Sequence, residues 1–223
     1  MPEPMQTKEP FRFHTRLHLS ELTGLKASNL KQLLEIIKTA PGSSIYHHTH
    51  RFLQQHMYLS PEPPNDFAYW VTNVLGEKEL GERLASIDTI EFLTIRDLRN
   101  KIADIIQGYL AANPSAGLRF AGEGEQFYFV KSVSFVIPTN YVAHNLREFA
   151  DALNMITMDS IYFHIFEARL RLEKKTNDFS LWVETSLGDK ELARSISRLD
   201  PYTRTLDNLR KTLIGLVTRH IKD

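Results

Sequence analysis

Asn65-Asp66-Phe67-Ala68-Tyr69-Trp70-Val71 returns later in the chain as Asn177-Asp178-Phe179-Ser180-Leu181-Trp182-Val183. Leu75-Gly76-Glu77-Lys78-Glu79-Leu80 returns as Leu187-Gly188-Asp189-Lys190-Glu191-Leu192. From Asn65 to Asp88, matched against Asn177 to Asp200, eleven of 24 positions are identical. Self-similarity of this kind is the mark of an internal repeat. The match also spreads outward. Ser44-Ile45-Tyr46-His47-His48 answers Ser160-Ile161-Tyr162-Phe163-His164, Asn29-Leu30 answers Asn145-Leu146, Phe13 answers Phe129, and Leu98-Arg99 answers Leu209-Arg210. Each copy is too long for a solenoid repeat, so two copies of a small domain describe the chain better. The boundaries read as a disordered N-terminus over 1–10, repeat unit 1 over 11–112, a Pro-, Gly- and Ser-bearing linker over 113–126, and repeat unit 2 over 127–223.

Each unit opens with period-two alternation: Phe11, Phe13, Thr15, Leu17 and Leu19 in the first, Phe127, Phe129, Lys131, Val133, Phe135 and Ile137 in the second. This predicts a strand of about eight residues with one buried face, and Pro138, lacking an N–H, is expected to end the second strand. Helical stripes follow: Leu30, Leu33, Leu34 and Ile37 in one, Leu146, Phe149 and Leu153 in its partner. Pro41-Gly42 breaks the first helix, and Ser43 or Ser44 can cap the next. Asn65 or Asp66, and Asn177 or Asp178, cap a third. Gly76 and Gly188 fall where a left-handed C-terminal residue belongs. A last helix runs through 95–110 with Thr94 and Asp97 as a capping box, and its counterpart covers 206–221. The expected fold is mainly α within the α+β class. Two similar helical units, related by pseudo-twofold symmetry, each open with one strand. Because an isolated strand cannot leave its backbone groups unpaired, the two strands pair in a small antiparallel sheet and the halves fold as one body.

Composition excludes several functions. The chain has 223 residues with 27 Lys+Arg and 27 Asp+Glu, so its formal net charge is zero. A dedicated nucleic-acid binder needs a basic face, and a membrane-surface anchor needs a basic cluster; neither is expected. There is no cysteine, which removes disulfides, thiol nucleophiles and thiolate metal sites. The N-terminus lacks a signal-peptide core and no run is long and apolar enough to span a bilayer, so a cytoplasmic setting is expected.

Candidate site residues come in pairs. His48 and His164 hold equivalent places on apolar stripes, with Tyr46 and Tyr162 beside them. They read as buried polar groups that specify packing, or as a Tyr–His–Asp pocket present twice, with Asp66, Asp178, Asp88 and Asp200 as acidic partners. Trp70 and Trp182, the two tryptophans, either fill the core or stack on a ligand. Within the run His47, His48, His50 and His56, the pair His47 and His50 has the spacing of a metal chelate. Phe163 and Phe166 stand in their places in the second unit, so no metal site is assigned and no cofactor is expected. Arg169, Arg171, Lys174 and Lys175 read as a solvated helix face.

On the Ser-Ile-Tyr-x-His, Asn-Asp-Phe-x-x-Trp and Leu-Gly-x-Lys-Glu-Leu blocks, the chain resembles an uncharacterised bacterial family known only as a domain of unknown function. The resemblance implies a bacterial, cytoplasmic setting and carries no catalytic residue. The residues favour a non-catalytic binding or regulatory module for a protein or small-molecule partner. The alternative is an enzyme or metal-binding protein using the His48/His164 and Tyr46/Tyr162 pairs, and a structural homo-oligomer is a third reading.

Overall fold

The alternation that opens each repeat folds as a strand twice the expected length. The computed structural model describes residues 9–51, 65–173, 175–199 and 206–221. In it β1 spans Phe11–Ala27 and β2 spans Phe127–Ala143, 17 residues each. They form one two-stranded sheet. Lys131 meets Glu21 at 2.9 Å, Thr23 Oγ1 donates to the Phe129 carbonyl at 2.6 Å, and Thr139 Oγ1 donates to the Phe13 carbonyl at 2.8 Å. Numbers rise along one strand as they fall along the other, so the pair is antiparallel. Pro138 does not end β2; it lies inside it. Both strands of a two-stranded sheet are edge strands, and a residue without an N–H is tolerated where it faces outward.

After β1 come α1 (Leu30–Thr39), α2 (Gly42–Tyr46) and a π-helical turn (His47–Arg51), then α3 (Asp66–Asn73), α4 (Lys78–Ala85) and α5 (Ile95–Ala112). After β2 come α6 (Leu146–Met155), α7 (Met158–Tyr162), a second π turn (Phe163–Glu167) and α8 (Ala168–Leu172). The chain closes with α9 (Asp178–Trp182), a third π turn (Val183–Leu187), α10 (Lys190–Ser197) and α11 (Leu206–His220). The fold is therefore α+β, dominated by helix.

Local chemistry sets the helix ends. Asn29, Asn65, Asn145 and Asn177 each accept a first-turn N–H and satisfy an orphan donor. The cap is thus the asparagine of each Asn-Asp pair, which leaves Asp66 and Asp178 for other work. Thr94 caps α5 through the Asp97 N–H as expected. Ser44 does not cap α2, whose N-cap is Pro41 without a side-chain bond. Gly76 and Gly188 hold φ of 70° and 72°, which a side chain would resist. Arg169 and Arg171 are not simply a solvated face: Arg169 donates to the Ser197 and Leu199 carbonyls at 2.7 and 3.1 Å, at the end of α10. Basic side chains favour such carboxy-terminal carbonyls.

The chain divides into two compact units. A middle unit runs His18–Val133, and a split unit combines the residues up to Leu17 with those from Ser134 onward. The core of the middle unit joins Leu33, Ile37, Phe67, Leu84 and Leu98 with Phe127 and Phe129. The core of the split unit joins Phe149, Leu153, Phe179, Leu192 and Leu213 with Phe11 and Phe13. The opening strand of each sequence-matched segment thus buries its two phenylalanines among the helices of the other segment. Residues 113–126 also pack rather than dangle. Pro114–Leu118 forms a 3-10 turn with Ala116 buried, and the Ala121 N–H donates to the Ser28 carbonyl at 2.7 Å.

One further polar knot lies in each unit. In the middle unit Tyr109 donates to Glu77 at 2.6 Å, and Arg119 Nε lies 3.2 Å from the same carboxylate. The bond to Glu77, followed by burial, pushes the Tyr109 pKa up to about 12. In the split unit the matched place holds His220 and Asp189, 2.7 Å apart. Burial works against the Asp189 carboxylate, but the Leu192 N–H and the His220 imidazole outweigh it and hold its pKa below the usual value.

Candidate functional site

Ser44 and His48 are four residues apart, so both reach the same side of their helix. Ser44 Oγ donates to the Val130 carbonyl at 2.8 Å, and His48 Nε2 accepts from the Val130 N–H at 3.0 Å. The N–H and C=O of one strand residue project the same way, so both backbone groups of Val130 turn away from β1 and toward the helix. Two side chains do there what a third strand would do. The split unit repeats the device: Ser160 Oγ donates to the His14 carbonyl at 2.6 Å, and His164 Nε2 accepts from the His14 N–H at 2.8 Å. Each Ser-x-x-x-His is a clamp on one residue of an open sheet edge, the kind of edge that otherwise invites unwanted pairing.

The second ring nitrogen is engaged as well. His48 Nδ1 lies 2.7 Å from Asp66 Oδ2, and His164 Nδ1 lies 2.8 Å from Asp178 Oδ2. A nitrogen that accepts a backbone N–H carries no proton, so the neutral ring must hold its proton on Nδ1 and donate it to the carboxylate. The geometry fixes the tautomer. His48 and His164 are only 4% and 2% exposed. Burial pushes the His164 pKa below the ordinary imidazole value, against the pull of the Asp178 carboxylate. Protonating Nε2 would break the bond to His14.

A pH dependence follows with a definite sign. The unfolded His164 takes up a proton near pH 6.5, while the folded one resists it to lower pH. Its contribution is intact above about pH 6.5 and is lost as pH falls below that value. The depressed Asp189 acts in the same direction at lower pH, its contribution fading below about 3.9. Urea midpoints should therefore fall between pH 7 and 5, and the fall should shrink in His164→Gln.

The other sequence candidates fall into place around these clamps. Trp70 and Trp182 are buried, and their indole N–H groups donate to the Glu125 and Glu9 carbonyls at 2.7 and 2.9 Å. They anchor the residues just before each clamped strand. Tyr46 is buried and stacked between His18 and His50, with ring centres 5.9 and 5.3 Å away. Tyr162 is buried beside Phe166 at 5.3 Å. His47 and His50 do not converge: His47 Nδ1 lies 3.0 Å from Ser132 Oγ and His50 Nδ1 lies 2.9 Å from Thr49 Oγ1. Among the described residues no group of three or more His, Cys, Asp or Glu is placed to hold a metal ion. His56, Lys174 and Asp200 lie outside the described residues.

The Asp178 carboxylate also receives Arg171 at 2.5 Å, and that guanidinium sits 4.7 Å over the Phe163 ring. These groups border a shallow groove of about 390 Å³ in the split unit, together with Arg12, Leu181 and Trp182. A hollow of about 440 Å³ in the middle unit lies instead at Asp88, Glu91, Lys101 and Asp104, and none of the paired Tyr, His or Trp residues lines it. Sequence reasoning overlooked Ser44 and Ser160 as clamp residues, although Ser at i and His at i+4 in both segments was the available signal.

The family model of DUF5752, a family of unknown function, matches residues 8–218. A solved structure described as the structure of OrfY from Thermoproteus tenax is 31% identical, with a TM-score of 0.80, covering 96% of each chain. No curated protein matches. No helix among the described residues is long and apolar enough to cross a membrane.

Proposed function

We propose that this chain, which belongs to the DUF5752 family of unknown function, is a non-catalytic binding or regulatory module for a protein partner. The observation that carries this reading is the full commitment of His48 and His164. Each spends one ring nitrogen on a strand N–H and the other on an aspartate. A general base or metal ligand needs a free nitrogen lone pair, and here that lone pair is consumed in holding the strand. This weighs against the enzyme or metal-binding alternative built on the same residues. Partner binding gains support from apolar side chains that the split unit leaves in water: Leu17, Phe135 and Ile137 are 43–50% exposed. Contiguous exposed apolar side chains are a common feature of interaction surfaces.

The matched clamps also support an origin by internal duplication with pseudo-twofold symmetry. Ser44, His48, Asp66 and Trp70 make the same bonds as Ser160, His164, Asp178 and Trp182. A cytoplasmic setting belongs to the same reading.

The test is histidine acylation of the native chain with mass spectrometric readout. His48 and His164 should stay unmodified under conditions that label His144, which is exposed. Rapid labelling of His48 or His164 in the native chain would return the pocket reading to the front.

A further inference from the structure

The split unit treats its own first residues as a bound peptide. From Glu9 to Arg16 the chain is extended; besides its pairing with β2, where Thr139 Oγ1 donates to the Phe13 carbonyl, it meets a series of recognition groups on the segments that follow β2. The Glu9 carbonyl accepts from Trp182 Nε1 at 2.9 Å. Phe11 enters an aromatic box with ring centres 5.6 Å from Phe149, 5.2 Å from Phe179, 5.6 Å from Trp182 and 5.0 Å from His164. Phe13 is fully buried and stacks on Phe149 at 5.4 Å. The His14 N–H and C=O are held by His164 and Ser160. Thr15 Oγ1 lies 3.2 Å from Thr157 Oγ1. The Arg16 guanidinium pairs with Glu167, whose side chain is 4% exposed.

We infer that this groove is a receptor for an extended segment of the form Phe-x-Phe-x-x-Arg, and that it exchanges its own segment for that of a second copy of the chain. The inference rests on the binding-module reading and supplies its ligand chemistry. Alternate side-chain pockets plus backbone bonds are how sheet edges and grooves read extended peptides. The buried Glu167 adds an ion pair that an intruding segment without arginine does not form. The specificity belongs to this unit alone. In the middle unit Phe127 and Phe129 fill the aromatic places, but Ser132 stands where the arginine would be and bonds to His47 instead. The segment from Phe11 to Arg16 is the one stretch of the sequence with this motif, so a second copy offers the ligand whose fit is already displayed.

The segment is tethered, so it competes at an effective concentration on the order of millimolar. A labelled peptide with the sequence of Glu9–Leu17 is the probe, read by fluorescence anisotropy against the full chain. It should bind the wild type saturably only toward millimolar concentration, and bind Phe11→Ala/Phe13→Ala about tenfold or more tightly. Peptides with alanine at both phenylalanines, or with glutamate in place of arginine, should each lose about tenfold in affinity. In sedimentation, wild type should form dimer as concentration rises, and Phe11→Ala/Phe13→Ala should not. Should that double variant fail to fold, His14→Pro, which lacks the clamped N–H and also the imidazole whose Nδ1 lies 3.1 Å from the Arg12 carbonyl, serves in its place. Absence of saturable peptide binding to the wild type and to every folded variant overturns the exchange, as does equal binding of the arginine-free peptide. Neither result touches the acylation test of the non-catalytic reading.

Discussion

Replacing His164 with alanine should destabilise the chain by about 3 kcal/mol or more. The change removes two hydrogen bonds at once. It leaves the His14 N–H without an acceptor beside a buried ring of phenylalanines, and it takes a donor from Asp178. It also vacates a site bordered by Phe11 and Phe179, 5.0 and 5.2 Å from the imidazole. An unsatisfied buried group costs about 1–3 kcal/mol, and the lost ring contacts add to it. His48→Ala should cost somewhat less, because the Asp66 side chain is 34% exposed against 15% for Asp178, so water can replace the lost donor. Ser160→Ala removes one neutral bond and should cost about 1 kcal/mol. The order His164→Ala, His48→Ala, Ser160→Ala is the content of the prediction, read from urea unfolding at pH 7.5. If His164→Ala falls within about 0.5 kcal/mol of wild type, the range of ordinary surface substitutions, the clamp is ornamental and the structural account of the histidines is wrong.

The ranking depends on contacts that a linear reading reaches only in part. Repeated blocks, asparagine caps, the two left-handed glycines and the helical stripes are local, and each shows in a window of a few residues. The pairing of two strands was also legible, because a lone strand has nowhere to place its backbone groups. The strand ends were not. Pro138 reads as a terminator unless one knows that its missing N–H faces outward, and that depends on how few neighbours the sheet has. The aspartates read as caps because Asp at a helix start is a good cap; the preceding asparagines take that role and free the carboxylates for histidine. The clamps were least legible. His48 meets Val130 82 residues away and His164 meets His14 150 residues away, and nothing local in Ser-Ile-Tyr-x-His announces a strand as its target. The histidine pairs were visible as residues, but their partners were not visible as chemistry.

Strand exchange between the matched segments has the sharpest signature, because each unit holds one of the two tryptophans. Phe13→Ala and Phe129→Ala each empty a fully buried aromatic site and should cost about 3–5 kcal/mol. Magnitude alone does not say which helices lose the contact; the location of the damage does. Phe13 stacks on Phe149, which itself lies 5.0 Å from Trp182. Phe129 lies 4.9 Å from Phe127, which lies 5.7 Å from Trp70. In a Trp70→Phe background the remaining emission reports the split unit, and in Trp182→Phe it reports the middle unit. Phe13→Ala should shift and lower the midpoint of the Trp182 signal, and Phe129→Ala should do so for Trp70, although Phe13 precedes Trp70 in sequence and Phe129 precedes Trp182. Leu17→Ala, at a side chain 50% exposed, should move neither by more than about 0.5 kcal/mol. A reversed pattern, with Phe13→Ala felt at Trp70, would mean that each strand packs on the helices of its own segment. The peptide groove of the split unit would then have no occupant to exchange.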